Sequence, residues 1–152
     1  MIDREKHIGQ ASEPRTVEVE RGFLRFFAEA TGETDPVYFD DAAALAAGFR
    51  ALPAPPTYLF SLNMAVPAKI GAVLDPVNGM GVDMSRILHG EQSFTYHRPI
   101  CAGDRLTLVT TTRDIYAKKG GALEFVVQDT TAHDENGVLV AEMESVTVVR
   151  NG

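Results

Sequence analysis

Three side chains with proton-transfer chemistry crowd one short stretch: Glu33, Asp35 and Tyr38 lie within Thr31-Gly32-Glu33-Thr34-Asp35-Pro36-Val37-Tyr38-Phe39-Asp40. Two carboxylates two residues apart with a phenol beside them can move a proton to or from a bound substrate. The same residues also read as plain turn chemistry, with Asp35-Pro36 opening a turn, Glu33 in solvent and Tyr38 half-buried with its hydroxyl at the surface. A second set is His89 and Glu91. Residues two apart on a strand point to one face, where a carboxylate can orient an imidazole and raise its pKa. The alternative is a pair on an exposed sheet face. His97 is expected on that face too, as a structural or interfacial residue, while His7 and His133 read as solvent-facing. The third device is backbone. Pro56, Thr57 and Tyr58 open a helix whose first free N–H groups, starting at Thr57, can hold a carbonyl oxygen and stabilise negative charge developing there.

The elements that must position these groups fall in two halves. Thr16 to Val19 alternates as a short strand, and Phe23, Phe26, Phe27 and Ala30 recur at helical spacing, with Gly32 placed as a C-cap. A short helix from Asp41 to Ala47 is capped by Asp40 or Asp41 and ended by Gly48. Pro53-Ala54-Pro55-Pro56 is a stiff entry into Thr57-Tyr58-Leu59-Phe60-Ser61-Leu62-Asn63-Met64, apolar nearly all round as a buried helix must be. Pro67 limits that helix, and a loop with one helical turn near Lys69 to Leu74 follows. From Ile87 the pattern turns to strands: Ile87 to His97, Arg105 to Asp114, the run around Leu123 to Gln128, and Val138 to Val149 after the hairpin signal Asp134-Glu135-Asn136-Gly137. This is an α+β layout, and a sheet curled around one central helix is the hotdog arrangement. Such a sheet leaves an edge strand open, so dimerisation through an edge is expected.

The 152 residues fit one domain, 1–152, with 1–14 expected as a flexible start. A net charge of −7 disfavours nucleic acid as a partner, and no apolar run is long enough for a membrane span or a signal peptide, so a cytoplasmic protein is expected. Cys101 is the sole cysteine, in a turn, and can form no internal disulfide. No metal-ligand spacing, phosphate loop or nucleophile elbow is present, so no metal or cofactor is expected.

Phe27 to Asp40 resembles the hydratase motif of the MaoC-like, or type 2 enoyl-CoA hydratase, family, G-D-x-N-P-x-H, with the small-residue helix after it matching Asp41 to Gly48. Leu52-Pro53-Ala54-Pro55-Pro56-Thr57 resembles the family's entry to the central helix. Leu88 to Asp104 resembles its strand-turn block, ending P-x-x-x-G-D. The likeness runs from Thr16 to Arg150. It implies hydration of enoyl thioesters, or dehydration of 3-hydroxyacyl thioesters, of CoA or acyl carrier protein. The departures lie in the motif itself: Glu33 and Tyr38 stand where the family has its Asp and His, and Asp35 replaces the Asn. The longer carboxylate displaces a proton transfer, and a phenol with an ordinary pKa near 10 is a poor base. The pattern looks more like the N-terminal type of MaoC-like domain, which shapes the acyl tunnel while a partner domain supplies the dyad.

Two readings follow from the resemblance. In one, Glu33 or Asp35 moves the water proton, Tyr38 or His89 manages the α-proton, and Pro56, Thr57, Tyr58 and Glu91 contact the substrate. In the other, the chain binds the thioester without catalysis and pairs, as a homodimer or heterodimer, with another hotdog subunit. An acyl-CoA thioesterase is a third reading, disfavoured by the motifs.

Overall fold

The computed structural model describes residues 1–65 and 79–152. The loop and helical turn expected between Pro67 and Leu74 lie outside these residues. Five antiparallel strands form one curved sheet in the order β1-β3-β4-β5-β2: β1 Arg15–Glu18, β2 Ile87–Tyr96, β3 Arg105–Lys118, β4 Leu123–His133 and β5 Leu139–Arg150. Among the described residues four α-helices accompany it: α1 Arg4–His7, α2 Arg21–Ala30, α3 Asp41–Ala46 and α4 Tyr58–Ala65.

The helix α4 lies against the inner face of the sheet. Its Tyr58, Leu59 and Leu62 share one apolar cluster with Leu106 and Leu108 of β3, Ala132 of β4 and Ala141 and Met143 of β5. A second, smaller cluster forms around Ile115, Val126 and Val149. This is the hotdog arrangement, but the helix expected to be buried on most sides buries only Tyr58, Leu59 and Leu62, while Met64 stands 55% exposed.

Several expectations are corrected. His89 and Glu91 do not share a face. The ladder passes from His89 opposite Thr147 to Glu91 opposite Val146, so Gly90 is an extra residue that breaks the alternation. His89 turns inward and Glu91 outward. Second, residues 1–14 are not a loose start: α1 and the chain after it lie along β3, with Gly9 and Ser12 donating to the carbonyls of Thr112 and Thr110 at 2.8 Å each. His7, expected in solvent, is accordingly buried at 3% exposure. Third, His133 belongs to β4 rather than to a turn. Fourth, in α2 the buried residues are Leu24 and Ala28, while Phe23 and Phe26 stand 59% and 69% exposed. β3 also runs four residues beyond the expected Asp114, because a register shift at Arg113 interrupts the alternation that marks a strand.

Gly90 has a steric reason to be glycine. A Cβ there would come within 2.9 Å of both the Val146 carbonyl oxygen and Val148 Cγ2, one of them backbone that cannot move aside. Gly90→Ala is therefore expected to cost about 1–3 kcal/mol of stability, read as a lowered urea midpoint at unchanged m-value. An unchanged midpoint would show that the bulge has room to relax.

Candidate active site

The acidic loop is built by consecutive caps. Gly32, at φ +77°, ends α2 in the left-handed conformation, and the Thr31 hydroxyl donates back to the Phe27 carbonyl at 2.9 Å. Asp35 then caps the 3-10 turn Pro36–Tyr38 by accepting the Val37 N–H at 3.0 Å. Asp40 caps α3 by accepting the Ala42 N–H at 2.7 Å. Asp35 is thus committed to holding the loop's shape. Tyr38 is half-buried beside Glu33 and Asp35. Burial first, then the charge of each carboxylate, pushes its phenol above the usual tyrosine range. The geometry makes Tyr38 a proton donor that stays protonated at neutral pH and cannot serve as a base.

A different set of contacts fixes the start of α4. Leu52 and Ala54 exchange backbone hydrogen bonds with Ala102 and Ile100 at 2.9 and 2.8 Å, which pins the proline-rich entry to the turn before β3. The Tyr96 hydroxyl of β2 donates to the Pro56 carbonyl at 2.5 Å. Burial pushes the Tyr96 pKa up to about 12, against the smaller opposing effect of the Leu59 N–H directed at the same oxygen. In the first turn of α4, the Tyr58 N–H is satisfied by the Pro55 carbonyl at 2.9 Å. Thr57 is exposed, and its N–H has no partner among the described residues.

His89 faces α4, where its ring stacks on Phe60 at 5.1 Å and 25°. Glu91 is exposed on the other face, and His97 on that face pairs with Glu142 at 2.9 Å. Among the described residues no hydrogen bond, ion pair or ring contact joins His89 to Glu33, Asp35 or Tyr38. The structure brings Tyr38 together with its two carboxylates, and His89 together with α4, as separate groups. No cluster of three or more His, Cys, Asp or Glu suited to a metal occurs among the described residues.

A groove of about 530 Å³ opens between α2, α4 and β1, walled by Phe23, Phe26, Phe27, Tyr58 and Leu62 over Val17. It runs along the face of α4 from Tyr58 to Ala65, with Glu18 and Glu20 at its rim. Tyr58 is the one sequence-predicted site residue that lines it. Its floor and walls were hidden in the sequence, where the Phe stripe of α2 is indistinguishable from a core stripe. Tyr96 was equally hidden, since an inward strand tyrosine carries no mark of the carbonyl it will meet.

The geometry can now be set beside known proteins. Residues 6–143 match the family model described as FAS1-like, dehydratase domain region. The chain belongs to this dehydratase-region family. It is 41% identical over 133 residues to a UPF0336 protein of Streptomyces griseus, covering 88% of this chain and 85% of the relative. A UPF0336 protein of Clavibacter michiganensis is 39% identical over 132 residues, covering 87% and 85%. Among solved structures, the truncated HadBC (3R-hydroxyacyl-ACP dehydratase) complex of Mycobacterium tuberculosis is similar at TM-score 0.77 and 27% identity, covering 93% of this chain and 96% of the other. A MaoC-like dehydratase shares the fold at TM-score 0.81 and 24% identity, over 96% of this chain and 43% of that one. The chain shares the hotdog fold of these dehydratases.

The Tyr96–Pro56 contact makes a pH prediction. Tyr96 has a folded pKa raised above its ordinary 10.0 to about 12, so its contribution is fully present below pH 10. It is lost as pH rises through 12. Urea midpoints of wild type should fall across pH 10–12, and Tyr96→Phe, less stable at pH 8 by about 1 kcal/mol, should fall less steeply. Parallel curves would disconnect Tyr96 from alkaline stability.

Proposed function

We propose that the protein is the acyl-thioester-binding subunit of a hydratase/dehydratase pair acting on enoyl or 3-hydroxyacyl thioesters, with a second hotdog subunit supplying the acid–base dyad. One observation carries this reading: the loop at the hydratase-motif position holds an acid that cannot become a base. Tyr38 is driven further from basicity by its neighbours, and Asp35 is spent as a cap. His89, the other candidate base, is separated from Glu91 by the Gly90 bulge. Family membership and likeness to the HadBC complex, a 3R-hydroxyacyl-ACP dehydratase, support the same chemistry.

What this chain retains is binding. The Thr57 N–H would hold the thioester carbonyl, and the acyl chain would lie in the groove along α4. From Tyr58 to Ala65 the helix rises about 10 Å, which sets the length of chain the groove covers. The partner would pair along β2. That strand is ten residues long, hydrogen-bonded on one side to β5, and carries Leu88 at 49% exposure. β1, the opposite edge, offers four residues.

The second reading, in which the chain hydrates on its own with Glu33, Asp35, Tyr38 and His89, is kept alive by the inward position of His89 beside Phe60. Loss of enoyl absorbance with crotonyl-CoA and longer enoyl-CoAs separates the two. The protein alone should show no turnover above background, and mixing with a hotdog subunit bearing an intact G-D-x-N-P-x-H motif should restore it. In that pair Tyr38→Phe should change kcat less than threefold. Turnover by the chain alone, abolished by Tyr38→Phe or Glu33→Gln, would establish the second reading instead.

The groove is tested separately. Ser61→Phe fills it from the α4 side and should weaken binding of a long-chain acyl-CoA by about tenfold, roughly 1.4 kcal/mol, while leaving crotonyl-CoA unchanged. Equal weakening of both would place the acyl chain elsewhere.

A further inference from the structure

A fatty acyl thioester and the free fatty acid share a tail and differ in the head, which is neutral in one and an anion in the other. The start of α4 does not by itself favour the neutral head. A free N–H at the beginning of a helix attracts anions, because the backbone dipoles point their positive ends there. Thr57 offers such an N–H, so on that feature alone a free fatty acid would outcompete a thioester for the groove.

The rim of the groove carries the opposite sign. Glu18 and Glu20 line it on either side of Val19, which is fully buried. In extended chain an inward residue between two others turns both neighbours outward, here to the mouth of the groove. Among the described residues neither carboxylate makes an ion pair or a hydrogen bond. Glu20 even occupies the N-cap of α2, where a side-chain oxygen ordinarily accepts a first-turn N–H, and makes no such bond. The nearest arginines are engaged elsewhere. Arg105, opposite Glu18 in the ladder, turns to Glu135 at 3.8 Å, and Arg21, next to Glu20, pairs with Asp41. Among the described residues no lysine or arginine lines the groove.

Backbone contacts put this charge at the helix-start end of the groove. The turn from Ile100 to Asp104 is bonded on one side to Leu52 and Ala54, in the entry to α4. On the other side it is bonded to Val19, whose N–H donates to the Asp104 carbonyl at 2.8 Å and whose carbonyl accepts from Gly103 at 2.9 Å. Arg15, at the opposite end of β1, reaches Asn63 in the last turn of α4. β1 thus runs along α4 from its end back to its beginning, which leaves Glu18 and Glu20 on the side of Thr57. The phenol of Tyr58, the first residue of α4, feels this placement: burial first, then the charge of Glu20, pushes it above the ordinary tyrosine range.

We infer that Glu18 and Glu20 determine the specificity of the groove, admitting acyl chains whose head is a neutral thioester and turning away free fatty acids. The inference rests on the proposed reading, in which the Thr57 N–H holds the thioester carbonyl and the acyl chain lies along α4. A carboxylate brought to Thr57 meets two like charges, whereas a thioester carbonyl meets them only as a dipole and loses little. The phosphate of CoA or of acyl carrier protein escapes the same repulsion. The pantetheine arm holds it beyond the Debye length, about 8 Å at physiological salt.

The test is calorimetric titration with decanoyl-pantetheine and with decanoate, which put the same tail under a neutral and an anionic head. Wild type should bind the thioester more tightly than the acid. In Glu18→Gln/Glu20→Gln the ratio of thioester to acid affinity should fall about fivefold, through tighter binding of decanoate. Raising salt to about 1 M, where the Debye length is about 3 Å, should lower the wild-type ratio toward that of the variant and leave the variant's nearly fixed. A ratio unmoved by the substitutions overturns the inference, as does a wild type that prefers decanoate. A ratio that falls in the variant but does not respond to salt in wild type assigns the fall to altered packing and overturns it too. Ser61→Phe reads the placement of the acyl chain in the same titrations. If it weakens neither ligand, the groove is not the acyl site, and the proposed reading fails together with the rim that depends on it.

Discussion

The central helix is held at two points by the two edges of the sheet, and most of the architecture follows from that restraint. From β2, Tyr96 reaches the Pro56 carbonyl at the helix entry. From β1, the buried Arg15 reaches Asn63, with Nη2 donating to Oδ1 at 2.9 Å and Nη1 to the backbone carbonyl at 3.4 Å. An apolar helix against an apolar sheet is free to slide, because dispersion and burial are nearly indifferent to a small shift. Hydrogen bonds in a buried setting are not indifferent, since displacement leaves polar groups unsatisfied. Two such contacts, roughly one at each end of the described helix, fix both its depth and its rotation. The groove and the free Thr57 N–H inherit their positions from these contacts.

The same restraint belongs to a polar belt across the inner face. Arg15 also donates to the Thr110 hydroxyl at 2.9 Å, Thr110 shares a hydrogen bond with Thr130 at 2.8 Å, Gln128 donates to Thr112 at 3.2 Å, and Ser145 donates to Gln92 at 2.8 Å. These residues separate the apolar cluster under α4 from the one around Ile115, Val126 and Val149. A core interrupted in this way forgoes some hydrophobic burial, but a one-residue slip of any strand would strand several hydroxyls and amides against carbon. The belt therefore specifies register in long strands whose outward faces do so only weakly.

Periodicity and turn chemistry made the architecture readable in the sequence. Alternation from Ile87 onward, the all-apolar stretch after Pro56, and Gly32 and Gly48 at helix ends are local signals with local causes. The illegible features depend on neighbours remote in the chain. Gly90 is a bulge because of Val146 and Val148, more than fifty residues away, so the strand rule placed His89 and Glu91 on one face when they occupy two. The Phe stripe of α2 gives helical spacing but not which side meets the sheet, and Leu24 and Ala28 won that side. The first fourteen residues look loose because their order comes from β3 carbonyls, which no local pattern announces. In the candidate site, the loop and the helix start were legible as elements. Whether Asp35 is a base or a cap was not, since both uses need the same residue.

That ambiguity at Asp35 bears on the chemistry. A carboxylate that accepts a backbone N–H in an N-cap is tied to a fixed direction, which limits its freedom to carry a proton to a substrate. The neighbouring Tyr38 sits in the field of Glu33 and Asp35, so the loop stores negative charge around a group that can only donate. A loop so arranged holds a hydrogen-bond donor rather than a base that must gain and lose a proton in each turnover. On the proposed reading the groove and the Thr57 N–H would likewise bind an acyl thioester without moving a proton. The chemistry left over, abstraction of a proton by a group with a pKa near neutrality, is what a second subunit with an Asp/His pair would bring. On the proposed reading, the electrostatics of this loop leave binding to this chain and proton transfer to its partner.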